Sequence, residues 1–320
     1  MRGTVALIAA CGTIAFSAQA EPAADAFAWL ERIASAAQKL NYIGTFTYQR
    51  GANSETSRIA HYYDGHIERE KLEVLDGSPR ELVRVDDEVK CYLPAERMVL
   101  IQHQARRAFP ALPREAMDRV TRNYRVKASA ADRVAGRDAL VLVMEPRDRM
   151  RFGYRLWAER ASGLLLKLRT VDENGGVVEQ FGFTEVQVGV PIPPEALTSR
   201  FAAQTANWQV YNTRAVERIG TDDRWAFRFL PPGFARSAGV KLRLRDDDRE
   251  AMHYVFTDGM AAISVFIEVA PARGERPREG FDRSGGVQAY QRVLGDHVVT
   301  VVGEVPGRAL KGVADGLAPR

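Results

Sequence analysis

The feature that most constrains this 320-residue chain is its punctuation: turn signals recur at strand-length intervals, and the side-chain period between them is two. Asp64-Gly65, Asp76-Gly77, Asp86-Asp87 and Pro94-Ala95 follow one another at hairpin spacing. Asp-Gly between β-rich runs favours a type I′ turn, whose two central residues need positive φ. Ahead of these turns Tyr42, Phe46 and Tyr48 alternate with Ile43, Thr45 and Thr47, which predicts a strand with one aromatic face. The rhythm resumes over residues 139–144, 152–158, 164–171 and 177–188, with turns at Ser162-Gly163 and Asn174-Gly175-Gly176. Long antiparallel strands twist, and a large twisted sheet curls towards a barrel. Its interior either holds a hydrophobic ligand or is filled by side chains, and the sequence leaves both open.

Helices frame the strands. Phe27, Leu30, Ile33, Ala37 and Leu40 make one apolar stripe near the start, and residues 109–120 break the strand rhythm with two prolines and a helical stretch. A second sheet is expected downstream. A strand over 225–229 ends at Pro231-Pro232-Gly233, residues 253–256 and 262–269 form a hairpin across Asp258-Gly259, and residues 287–294 and 297–305 pair through Gly295-Asp296. Between these hairpins, residues 271–286 read as a mobile loop. Pro306 opens a terminal helix with Leu310, Val313, Ala314 and Leu317 on one face. The expected class is α+β and mostly antiparallel β: a half-open barrel, then about five strands with one packed helix. The division predicted is a signal peptide over 1–20, a first domain over 21–200, a linker over 201–218 and a second domain over 219–320.

Export follows from the first twenty residues. Arg2 precedes an uncharged apolar run, and Ala18-Gln19-Ala20 has the small-x-small form of a cleavage site, which places the cut after Ala20 and the protein in the periplasm. A lipoprotein box at Ile8-Ala9-Ala10-Cys11-Gly12 competes, with few residues ahead of the cysteine. Of the two cysteines only Cys91 lies beyond the signal peptide, so no disulfide staples the fold. A formal net charge of +4 is close to neutral and argues against nucleic acid as a partner.

Catalytic signatures are missing from the sequence: it has no nucleophile elbow, zincin helix, phosphate loop or dinucleotide fingerprint. His61 and His66 lack further ligands for zinc, and Asp246-Asp247-Asp248 lacks calcium-loop spacing, so neither a metal nor a cofactor is expected. Arg147, Arg149 and Arg151 would share one strand face if extended, either as a solvated face or as an anion-binding groove. The hairpin tip at residues 255–260 sets apolar residues beside a tight turn, which suits partner docking or packing on the neighbouring domain.

Blocks in constant order across the chain resemble the MucB/RseB family, periplasmic negative regulators of the envelope-stress sigma factor. They include Ile43-Gly44-Thr45-Phe46, Leu75-Asp76-Gly77, Cys91-Tyr92-Leu93-Pro94, Tyr154-Arg155-Leu156-Trp157, Leu230-Pro231-Pro232-Gly233-Phe234, Asp258-Gly259-Met260-Ala261 and Thr300-Val301-Val302-Gly303-Glu304-Val305-Pro306. The resemblance implies a half-barrel similar to lipoprotein carriers and a small α+β domain. It also implies binding to the periplasmic domain of a transmembrane anti-sigma factor, protection of that partner from proteolysis, and release by lipid or lipopolysaccharide fragments. Under that reading Phe46, Tyr48, Trp157, Phe181 and Phe183 face the apolar cavity, and Phe229, Phe256, Met260 and Phe266 meet the partner. A homodimer is compatible with the sequence, and a lipid or lipoprotein carrier is the competing function.

Overall fold

A computed structural model describes residues 23–103, 117–212, 217–218, 224–243, 250–270, 278–282 and 288–320. The expected cleavage site lies outside the described residues, as do most of the helical stretch expected over 109–120 and the acidic turn at 246–248.

The first sheet has twelve strands. Helix α1 (Ala23–Lys39) leads into β1 (Tyr42–Arg50), β2 (Asn53–Tyr63), β3 (Glu68–Val74), β4 (Arg80–Val85), β5 (Glu88–Leu93) and β6 (Met98–His103), an antiparallel meander turning where the Asp-Gly signals stand. Gly65 and Gly77 take positive φ (100° and 70°), which other residues resist, while Asp64 and Asp76 do not, so these turns stand where expected but are not type I′. After helix α2 (Met117–Asn123) come β7 (Tyr124–Val134), β8 (Arg137–Pro146), β9 (Gly153–Glu159), β10 (Leu165–Val171) and β11 (Val177–Val188). Pairing of β11 with β1 joins the two runs into the order β12-β6-β5-β4-β3-β2-β1-β11-β10-β9-β8-β7. No pairing joins β7 to β12, so the barrel is half open, as expected. Strand β12 (Gln209–Asn212) adds in parallel beside β6, within the stretch read as linker, after a 3₁₀ turn at Ala202–Asn207.

The second sheet has seven strands in the order β13-β15-β16-β17-β20-β19-β18. They are β13 (Glu217–Arg218), β15 (Ala235–Arg243), β16 (Glu250–Thr257), β17 (Ala262–Val269), β18 (Gly280–Asp282), β19 (Gln288–Leu294) and β20 (His297–Gly303). Strand β18 lies within the stretch read as a loop. Helix α3 (Gly307–Asp315) buries Leu310, Val313 and Ala314 against Tyr254, Phe256, Ile263, Val265, Val299 and Val301. The chain then closes with β21 (Leu317–Pro319) paired to β14 (Trp225–Phe227).

In the first domain α1 and the strands share a face. Leu30, Ile33 and Ala34 pack on Tyr154, Leu156, Leu140 and Leu142, and an adjoining cluster gathers Tyr42, Phe46, Ile59, Phe181 and Phe183. The α1 stripe is thus buried as its three- and four-residue spacing requires.

Candidate functional site: the sheet's inner face and the seam between domains

Register decides which side chains share the α1 face. Tyr48 is opposite Phe181, Phe46 is opposite Phe183, and Phe181 is opposite Leu168, which in turn faces Leu156. Directly opposed residues point to the same side. Four of the five expected cavity residues therefore converge. Phe46, Phe181 and Phe183 are each under 5% exposed and meet edge to face, with centroids 5.1 Å, 6.0 Å and 5.2 Å apart. Gly44 makes room for this nest, since a Cβ there would stand 2.9 Å from the Phe183 ring. Tyr48 donates to Glu179 at 2.6 Å, and burial followed by that carboxylate pushes its hydroxyl well above the usual range. The nest is filled by its own members.

Trp157 leaves β9 on the side opposite Leu156, with Lys167 and Arg169 over its ring at 4.8 Å and 5.4 Å, yet it is buried in the same apolar cluster as Phe46, Phe181 and Phe183. Its Nε1–H donates to Asp132 at 2.8 Å, and that bond is the main reason the Asp132 carboxyl is held below its usual range. Period two settles that side once β9 is aligned.

Further along the inner face the same register continues from Gly44 through Ile59, Leu72, Leu82 and Cys91 to Leu100. Ile59 is fully buried, whereas Leu72, Leu82, Cys91 and Leu100 are only half-buried. This aliphatic row was missed in sequence because its members come from five different strands. Burial pushes the Cys91 thiol above its usual range, as an apolar setting should.

The partner residues expected in the second domain separate. Phe256 is 2% exposed and packs on Phe227 at 4.7 Å, inside the α3 core. Phe229 lies on α3 so closely that a Cβ at Gly312 would meet its ring at 2.6 Å. Phe266 stands on the other face of the sheet, stacked on His253 at 4.2 Å. Met260 leaves its own domain and packs into the α1 cluster of the first. Phe256 is core, Phe229 is half-buried against that core, and Met260 is a contact between domains.

That contact is anchored by buried charge. Arg151, with its side chain fully buried, donates to Asp258, to Asp148 at 3.0 Å and to the Pro232 carbonyl, and Tyr124 O–H donates to Asp258 at 3.2 Å. The other Asp258 oxygen accepts from the Met260 and Ala261 amides at 2.9 Å and 2.8 Å, fixing the β16–β17 turn. The stretch through Arg147, Arg149 and Arg151 is not extended but a run of bends in which Arg151 turns inward, so the condition for the three to share a strand face is not met. Arg308–Glu173 (2.5 Å) and Arg50–Glu304 (2.8 Å) tie the domains at the rim. Beside this seam opens a groove of about 1000 Å³, lined by Val143, Phe152 and Pro306 and by both signs of charge, Arg149, Arg155 and Arg308 with Glu145, Asp148, Asp172 and Glu173. Among the described residues no cluster of His, Cys, Asp and Glu could hold a metal ion, and no helix is long and apolar enough to cross a membrane.

Two family models account for this architecture. The MucB/RseB N-terminal domain matches residues 25–201, and the MucB/RseB C-terminal domain matches residues 220–318. The chain belongs to the MucB/RseB family. It is 32% identical to the sigma factor AlgU regulatory protein MucB of Pseudomonas aeruginosa, over 99% of this chain and 98% of that one. With the sigma-E factor regulatory protein RseB of Escherichia coli it shares 23% identity over 96% and 94% of the two chains. A crystal structure of MucB in complex with MucA(peri) superposes with a TM-score of 0.73 at 30% identity, covering 92% of this chain and 99% of that one. A crystal structure of MucB reported without MucA in its name superposes with a TM-score of 0.66 at 29% identity, over 93% and 98%. The relatives are sigma factor regulatory proteins, and MucB is one whose complex with MucA has been solved.

Proposed function

We propose that this protein is a periplasmic regulator. It binds the periplasmic region of a transmembrane anti-sigma factor, shields it from regulated proteolysis and releases it in response to lipid or lipopolysaccharide fragments. The observation that carries this reading is the end-to-end likeness to MucB in its MucA-bound structure, across both domains and at 30% identity. The groove at the seam supplies a place for an extended segment, with apolar groups and both signs of charge in its lining. An acyl chain would take the open aliphatic row of Leu72, Leu82, Cys91 and Leu100, because the aromatic nest has no space left. The row belongs to the first domain, the groove is lined by both domains, and the second domain is seated on the first through Arg151 and Asp258. Lipid binding that prefers a different seating weakens partner binding only by its differential affinity for the two seatings.

Limited proteolysis of the anti-sigma factor's periplasmic region tests the reading. In the presence of this protein the region is cut more slowly, and lipopolysaccharide fragments restore the rate. Cleavage at the same speed with and without the protein contradicts it.

A further inference from the structure

On the outer face of the first sheet, Arg155 of β9 stands directly opposite Arg169 of β10, and Trp157 directly opposite Lys167. The two pairs are neighbours on one face, so three cations share one small area around a single indole. Like charges directly opposed in an antiparallel pair destabilise it, and most sheet cations in this molecule avoid that situation. Arg50, Arg58, Arg80, Arg84, Lys71 and Lys127 each have a carboxylate within 3.4 Å. Arg155, Lys167 and Arg169 have no ion pair among the described residues. Two carboxylates on this face hydrogen-bond to other groups, Asp132 to the Trp157 indole at 2.8 Å and Glu145 to Lys127 at 3.1 Å, and Asp132 also interacts electrostatically with Lys167 and Arg169. Arg169 instead donates to the amide oxygen of Gln180 at 2.5 Å. Burial, and then Arg169, lowers the Lys167 ammonium below its usual range, and the Asp132 carboxylate offsets this only in part.

We infer that this tile is an anion-recognition surface for an acidic peptide segment of the regulated partner. The inference rests on the proposed function for the partner's identity, and on the tile's own geometry for its chemistry. Continuity argues for a peptide: Arg155 belongs both to the tile and to the lining of the groove, which Arg149 shares. The alternate side chains of an extended chain, roughly 6.5–7 Å apart, match the strand repeat that separates successive side chains on one face of β9. Guanidinium groups bind carboxylates bidentately, and the indole holds Lys167 and Arg169 in place by cation–π contact, so little ordering remains to be done on binding.

Calorimetric titration of the mature protein with the anti-sigma factor's periplasmic region tests this, using wild type, Arg155→Gln/Arg169→Gln and, separately, Lys167→Gln. Arg155 is exposed and Lys167 and Arg169 are half-buried, and a thermal midpoint equal to or above wild type verifies that the variants fold, since repulsion has been removed. The double variant binds about 5–10-fold more weakly at low salt, and the deficit shrinks as salt rises. Equal affinity of wild type and variants overturns the tile and leaves the proposed function standing. If the partner region binds neither, the proposed function fails and hexaglutamate is the probe: capture by wild type but not by the double variant sustains the tile, and no capture overturns it. Binding of phosphatidylglycerol vesicles with no binding of hexaglutamate also overturns it, assigning the cations to a membrane surface.

Discussion

Phe181 and Leu82 lie on the same face of one sheet, linked by an unbroken register, yet their surroundings differ. Phe181 sits in a nest where three phenylalanine rings satisfy each other edge to face, and Tyr42, Leu164, Leu166 and Val186 complete the cluster. Leu82 sits in a row of aliphatic side chains that touch across strands but stay half-open above. Aromatic content therefore marks where this face is closed, and missing neighbours mark where it can accept something. A ligand surface is recognised by unfinished packing more than by residue type.

Truncating Phe181 to Ala should separate the halves most sharply. It removes the centre of the closed nest and should cost about 3–5 kcal/mol, seen as a large fall in the denaturant midpoint. If instead the protein keeps its stability, the nest is looser than its geometry says.

Outside both halves, Asp258→Asn removes one of the two carboxylates that hold buried Arg151, the one across the seam, and should cost about 2–3 kcal/mol. Small-angle scattering should show a changed arrangement of domains, while fatty-acid binding to the row persists. Unchanged stability and shape would mean that the seam rests on its apolar contacts alone.

Leu82→Trp fills the open row and should change stability by less than about 1.5 kcal/mol, because the site has room. It should abolish binding of a fluorescent fatty acid. Retained binding would move the acyl chain off the row.

The smallest effect concerns Cys91. Its raised thiol pKa leaves less thiolate at neutral pH than a free cysteine has, so alkylation should be slow and should accelerate as pH climbs towards that pKa. A bound acyl chain should slow it further. Alkylation at the rate of a free thiol, indifferent to lipid, would place Cys91 outside the site.

Local chemistry made much of the fold legible in advance. Asp64-Gly65, Asp76-Gly77, Asn174-Gly175 and Gly295-Asp296 all stand at turns between antiparallel strands, since turn geometry depends on few residues. The α3 face is readable for the same reason, with Leu310 and Val313 at helical spacing. What stayed hidden depends on long-range register or on pairing between distant segments. Nothing near Arg151 in sequence announces Asp258, 107 positions away, and Arg147, Arg149 and Arg151 alternate as they would on a strand face, whereas the chain bends there to reach it. Met260 and Phe256 look alike at a hairpin tip; only the fold shows that one crosses to the other domain and the other turns into its own core. Parallel pairing of β12 with β6 likewise has no turn signal to give it away.

The most direct test of the account is calorimetric titration of the mature protein with the anti-sigma factor's periplasmic region, with and without lipopolysaccharide fragments, for wild type and Leu82→Trp. The account predicts tight binding to both proteins, weakened at least tenfold by the fragments in wild type and unaffected by them in Leu82→Trp. Absence of binding to wild type, or binding that fragments leave unchanged, would contradict it.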